Sequence, residues 1–317
     1  MGMLKYSIGR LLRALVTMAA VLSAVFLLMR LLPVEGYFGD RSDAMNEKVK
    51  EQVLKSLGLL DPWYKQLGSF WKNLLHGDMG KSIVYRKGVS VVKIIVPKAK
   101  VSLKFGFAAI MIEKLAGIPM GVLMARYKGK FFDRFGNLYI LLINALPAAV
   151  YYLLIQLGGS GLFGVSMLYK PGQIGTMILP VISLSLGGIA STAMWMRRYM
   201  VDQMNMDYIR LARAKGMTGS QVAFRHMLRN AFIPMAQSLP ASILFTISGS
   251  LYIESLYSIP GMGGLLVTAI KRQDNTLVQA LVLLFSVLSI VGMLLGDILM
   301  MLLDPRITLG DRKGEGR

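Results

Sequence analysis

The sequence predicts an all-α membrane protein with six transmembrane helices, a large external loop after the first helix and a cytoplasmic loop between the fourth and fifth. Three observations carry that reading. The chain is more apolar than ordinary soluble domains, with 54% hydrophobic residues and a mean hydropathy of +0.54. Its apolar residues gather into runs long enough to cross a bilayer, which takes about 20 residues per helix. The alternating segments of about 10 residues that a transmembrane barrel needs are absent. Lysine and arginine are also unevenly shared: the segments expected on one side carry 18, and the short segments on the other side carry 3. The segment 33–100 is set aside, because loops longer than about 60 residues escape the positive-inside rule. Both termini and the basic stretch after the fourth run are therefore expected in the cytoplasm, and 33–100 outside.

Each element follows in order. Residues 1–32 form a short basic start (Lys5, Arg10, Arg13) and a first span at about 9–32. A secretory signal begins in the same way, but no small-x-small cleavage site follows. Residues 33–100 read as a polar external loop or subdomain with a helix near 43–58. The stretch His76-Gly77-Asp78-Met79-Gly80-Lys81-Ser82 has two residues between its glycines where a phosphate loop needs four. Residues 101–303 hold five further spans. The second, Val101 to Ala125, contains Pro119 and carries Glu113-Lys114 near its centre, where charge is costly and marks function by default; a locally neutralised pair turned toward the bundle is the plainer reading. The third, Phe135 to about Leu157, is interrupted by Asn144 and Pro147, and a Gly-rich connection runs from Gly158 to Gly175. The fourth, Thr176 to about Trp195, is rich in small residues that favour close helix packing in lipid. The fifth runs from Pro234 to about Leu256 and is followed by a short amphipathic stretch, Val267 to Asn275; the sixth, Thr276 to Leu303, carries Asp297. Residues 304–317 are a charged cytoplasmic tail.

The chemistry that composition excludes is broad. There is no cysteine, and the two histidines, His76 and His226, are far apart, so thiol chemistry and a His or Cys metal cluster are ruled out. No nucleotide motif and no catalytic constellation is visible. The formal charge of +19 would suggest nucleic acid in a soluble protein; here positive-inside loops and anionic lipid account for it, and no nucleic-acid partner is expected. The 23 methionines read as adaptable packing residues. This chain is expected to hold no cofactor or metal.

The most informative stretch is the basic, amphipathic island from Asp207 to Pro234. It predicts two short helices broken at Gly216-Met217-Thr218-Gly219, with Thr218 or Ser220 capping the second. In that second helix Phe224, Leu228, Ala231 and Phe232 should form one apolar stripe, with Arg225 and Arg229 on another face. Ala212, Ala214 and Gly216 are small enough to let another backbone approach closely.

The run Arg210-Leu211-Ala212-Arg213-Ala214-Lys215-Gly216, followed by Arg225-His226 and by Arg229-Asn230-Ala231 to Pro234, resembles the "EAA" loop of bacterial ABC-importer permeases. It is most similar to the B-type subunit of the oligopeptide/dipeptide/nickel branch. Arg210 replaces the Glu of the wider consensus, and the Gly-to-Pro interval is longer, as in that branch. The 76–82 stretch, Glu254 with Pro260-Gly261 and Gly263-Gly264, and Asp304-Pro305-Arg306 resemble the same branch. The resemblance implies an ATPase-coupling loop (200–233) using Arg210, Ala212, Arg213, Ala214, Lys215, Gly216, Arg225, His226 and Arg229. It implies a second homologous permease, two ATP-binding subunits that hold the ATP and magnesium, an external solute-binding protein, and transport of peptides through the cytoplasmic membrane. Nickel or another small solute is the alternative within the branch. An ion-coupled secondary carrier is the alternative outside it, and would put Glu113, Lys114 and Asp297 at its centre.

Overall fold

A computed structural model of the chain describes residues 2–31, 34, 38, 45–56 and 58–303. The tail 304–317, with its Asp-Pro-Arg motif, lies outside the described residues. Helices account for the architecture, and among the described residues the only β pairing is an isolated bridge between Lys81 and Ser90. In chain order the helices are α1 (Gly2–Met29), α2 (Glu47–Ser56), α3 (Trp63–Leu75), α4 (Val91–Arg126), α5 (Phe131–Ala145), α6 (Ala148–Phe163), α7 (Ile178–Met204), α8 (Asp207–Ala214), a single turn α9 (Gly219–Gln221), a π-helical turn (Val222–Met227), α10 (Leu228–Ser248), α11 (Leu251–Leu256), α12 (Met262–Lys271) and α13 (Asn275–Leu303).

Among the described residues, five helical segments are long and apolar enough to span a membrane, and α5 with α6 makes a sixth if the bent pair crosses as one. The differences from the sequence reading have local causes. The second span begins ten residues earlier than expected, at Val91. Lys93, Lys98 and Lys100 lower the hydropathy there, but Val91, Ile94 and Ile95 recur at helical spacing and are buried. The third span is two helices bent by 103°. Leu146, the residue before Pro147, is held extended (φ −96°, ψ 135°), as the proline ring demands of its predecessor. The fifth span breaks at Gly249, whose φ of +74° ends α10 before α11 resumes. The short helix after it is α12, Met262–Lys271, rather than 267–275.

The chain divides into two compact units. One comprises Met1–Ser102, Ile247–Glu254 and Pro260–Val291. Its core joins Val91, Ile94 and Ile95 to Met262, Leu265, Leu277 and Leu281, while Phe26 of α1 stacks on Phe70 of α3 at 4.5 Å. Two buried carboxylates organise its turns. Asp274, wholly buried, follows a Schellman turn at the end of α12, in which Asp274 N donates to Ala269 O and Gln273 N to Ile270 O. Gln273 takes the left-handed position (φ 54°). Asp274 then caps α13 through Leu277 N (3.2 Å) and accepts from the Ser82 hydroxyl (2.5 Å) and the amides of Val84 (3.1 Å) and Tyr85 (2.9 Å). The Ser82 of the 76–82 stretch is thus a structural anchor. Burial alone would raise the Asp274 pKa, but the Ser82 hydroxyl and the ring of amides outweigh it and hold the carboxyl below its ordinary value. Glu254 has the corresponding role at the turn that leads into α12. It accepts from Ser102 Oγ (2.6 Å) and Gly264 N (3.0 Å), and Met262 N donates to Ser102 Oγ (2.8 Å). Gly249 and Gly261 lie so close to this carboxylate that a methyl group on either would overlap it.

The other unit comprises Leu103–Thr246, Ser255–Ile259 and Gly292–Arg317. Here α5 and α6 pack on α7, with Tyr139 Oη donating to Leu186 O at 2.8 Å. Helix α4 approaches α7 almost backbone to backbone. A β-carbon on Gly117 would come within 2.8 Å of Thr192, and one on Gly121 within 2.6 Å of the Ala193 carbonyl. Such contacts are how helices gain packing where lipid removes the hydrophobic drive.

Candidate partner-docking loop

The island after α7 folds much as its residues require. Helix α8 ends in a Schellman motif: Met217 N donates to Ala212 O (3.3 Å) and Gly216 N to Arg213 O (2.9 Å). Gly216 occupies the left-handed position with φ +78°. Thr218 then caps the next helix in a full capping box. Its hydroxyl accepts from Gln221 N, and Gln221 Oε1 accepts from Thr218 N at 2.9 Å.

Beneath the island lies an apolar platform. Ile209 and Ala212 of α8, Val222, Ala223 and Met227 of the π turn, and Ala231 and Met235 of α10 are all buried. They pack against Met196 and Met200 of α7 and Val122 and Ala125 of α4. Of the expected stripe, Ala231 is buried and Leu228 and Phe232 pack half-buried against the platform, while Phe224 is left 54% exposed. The π turn adds a residue to one turn, so upstream of Ala231 the buried positions are Met227 and Ala223 in place of Phe224.

What the platform presents outward is mostly the predicted set. Arg210, Arg213, Ala214, Lys215, Gly216, Arg225 and Arg229 are exposed and His226 is half-buried. Ala212 differs, being buried in the platform: its smallness admits α7 and the π turn rather than an outside backbone. Leu211 (57% exposed) and Phe224 add exposed apolar surface to the island. Asp207 pairs with Arg210 at 3.4 Å, but both are so exposed that the pair contributes little. No atom lies within 4 Å of where a Gly216 β-carbon would sit. The surface combines cations with a few large apolar side chains over a packed apolar base.

The other charged residues singled out by the sequence are internally engaged. Glu113 Oε1 accepts from Lys114 Nζ (2.6 Å) and from Thr192 Oγ1 (2.8 Å). The pair is turned into the α4–α7 contact, against Gly188. Asp297 Oδ1 accepts from Gln237 Nε2 at 3.0 Å. One ion pair escaped the sequence reading. Asp133, 4% exposed, takes a bidentate contact from Arg197 (Nε to Oδ1 2.6 Å, Nη2 to Oδ2 2.9 Å) and accepts from Gly129 N at 2.8 Å. In the sequence Arg197 is one of the 18 basic residues that orient the spans, with nothing to mark it as an ion-pair partner. An acid at the third position of a helix that opens on a basic loop was the available signal.

Residues 117–309 match the family described as binding-protein-dependent transport system inner membrane component. The oligopeptide transport system permease protein OppB of Salmonella typhimurium is 31% identical over 311 residues, 96% of this chain and 99% of that protein. AmiC, an oligopeptide transport system permease protein of Streptococcus pneumoniae, is 33% identical over 212 residues, 66% of this chain. The match spans less than half, 43%, of AmiC's own length. Two solved structures share the fold. An inward-facing MetNI methionine ABC transporter chain aligns over 67% of this chain and 97% of its own, with a TM-score of 0.55 at 14% identity. A chain of an amino acid ABC transporter with histidines aligns over 68% and 95%, with a TM-score of 0.51 at 19% identity.

Proposed function

The chain belongs to the family of binding-protein-dependent transport system inner membrane components, and from that premise we infer that it is a transmembrane permease subunit of an ATP-driven importer of peptides. The OppB and AmiC relatives, both oligopeptide transport system permease proteins, support the peptide class. The chain carries no nucleotide motif of its own, so ATP and magnesium belong on two separate ATP-binding subunits. A second permease completes the path, and an external solute-binding protein delivers the peptide. In this reading both termini and the island lie on the cytoplasmic side, which the lysine and arginine asymmetry supports.

The single observation that carries the coupling role is the island's construction. Its cations and Phe224 face outward, while its inner face is packed into α7 and α4. A push on the outer surface is therefore passed to two membrane helices as a rigid body, because packed cores shift between discrete arrangements rather than deform smoothly. In this reading the closing of the ATPase subunits moves the island, and the island switches the path from inward-facing to outward-facing.

Gly216→Trp tests the inference. The site is open, so the cost to folding is the left-handed backbone alone, about 1 kcal/mol. Reconstituted complexes should keep ATP hydrolysis and lose most uptake of a labelled tripeptide; normal uptake would sink the lever. Reversing Arg210, Arg213 and Lys215 to Glu should reduce co-purification of the ATP-binding subunits, and undiminished recovery would leave those charges as orientation signals only.

A further inference from the structure

The connection between α4 and α5 carries surface features that the transport reading does not use. Lys128, Lys130 and Arg134 are all exposed. Interleaved with them are Phe131 at 73%, Phe132 at 50% and Phe135 at 61% exposure. Phe131 and Phe135 stack on each other at 6.1 Å rather than against the body of the unit. Exposed phenylalanines beside cations suit neither bulk water nor the hydrocarbon interior. The segment sits where the apolar run of α4 ends, at Arg126, and that of α5 begins, at Phe131, so it lies at the membrane boundary.

The charge balance is decisive. The only acid between residues 126 and 135 is Asp133, and it is turned inward, consumed by Arg197 and the Gly129 amide. No carboxylate pairs with Lys128, Lys130 or Arg134 among the described residues. The fold has thus removed the one local counter-charge and left three cations level with three apolar rings. We propose that this connection is a docking surface for anionic phospholipid headgroups, with the phenylalanine rings seated among the upper acyl chains. A basic, aromatic surface at the headgroup level has the complementary chemistry. Asp133 and Arg197 act as positioning residues: they hold the start of α5 so that both sets face the lipid together.

The chain has no cysteine, which makes the test clean. The Phe135→Cys variant, labelled with an environment-sensitive fluorophore and purified with whatever subunits accompany it, is placed in vesicles of equal phosphatidylcholine and phosphatidylglycerol. An acyl-chain quencher is carried on one lipid or the other. Quenching by the phosphatidylglycerol-borne quencher should exceed the other by about fivefold per cation at low salt, and should weaken as salt is raised. Adding Lys128→Gln, Lys130→Gln and Arg134→Gln, all surface changes, should equalise the two. Equal quenching in the parent would reduce the segment to an aromatic anchor without headgroup preference. No quenching by either lipid would show that a protein subunit covers it. Either result overturns the proposal.

Discussion

The island and the turns around Asp274 and Glu254 are built on opposite plans. The island is greasy inside and charged outside: methionines and alanines hold it, and its arginines and lysines reach outward. In the second region the charge is inside. Asp274 and Glu254 are buried, and backbone amides and serine hydroxyls are gathered around them. Apolar packing is non-directional and leaves a surface free to meet another molecule. A buried carboxylate is directional and completes itself, fixing a turn with no partner needed.

Substitutions should break that contrast in a graded way. The largest loss is expected for Asp274→Ala, which orphans a hydroxyl and several buried amides at once; about 3 kcal/mol or more of stability should go, read as thermal unfolding of the detergent-solubilised protein. Asp274→Asn, which keeps an acceptor, should lose visibly less. Met196→Ala or Met200→Ala should come next, at about 2–4 kcal/mol each, through a cavity under the island. Their signature would be faster proteolysis after Arg213 or Lys215, while Asp274→Ala should leave that cleavage unchanged. The acid limb sharpens the same comparison. Asp274 has its pKa depressed in the folded state, so its contribution is complete above the unfolded value of about 3.9 and is lost as pH falls through the lower folded value. Acid unfolding of the wild type should therefore be steeper below about pH 4 than that of Asp274→Asn. The smallest effect is expected for Thr218→Ala, about 1 kcal/mol from the lost cap, seen as fraying of the second island helix by amide exchange.

Hydropathy, capping residues and charge are local properties, so the apolar runs, the glycine break of the island and its outward cations were legible in the sequence. The start of α4 was hidden by its three lysines, of which Lys93 and Lys100 are exposed and Lys98 is half-buried. The inward turn of Ala223 and Met227 was also hidden, since a π turn has no composition that announces it and one extra residue changes which side faces in. Ser82 with Asp274 stood 192 residues apart, and Asp133 with Arg197 stood 64 apart; only tertiary folding pairs them. Ala212 illustrates the ambiguity of small residues, which admit a neighbour from either side.

The π turn at Val222–Met227 also gives the chain a place to absorb a residue. One residue around an α-helix is about 100° of rotation, but a π turn spreads a single turn over one residue more. Deleting one residue between 222 and 227 would therefore restore a regular helix and leave everything before it at nearly its present bearing around the axis of α10. The same deletion in a regular stretch of α10 would swing the island's outer face by about a hundred degrees. The bearing of that face is thus encoded in the count of regular helical residues behind it rather than in any contact the face makes.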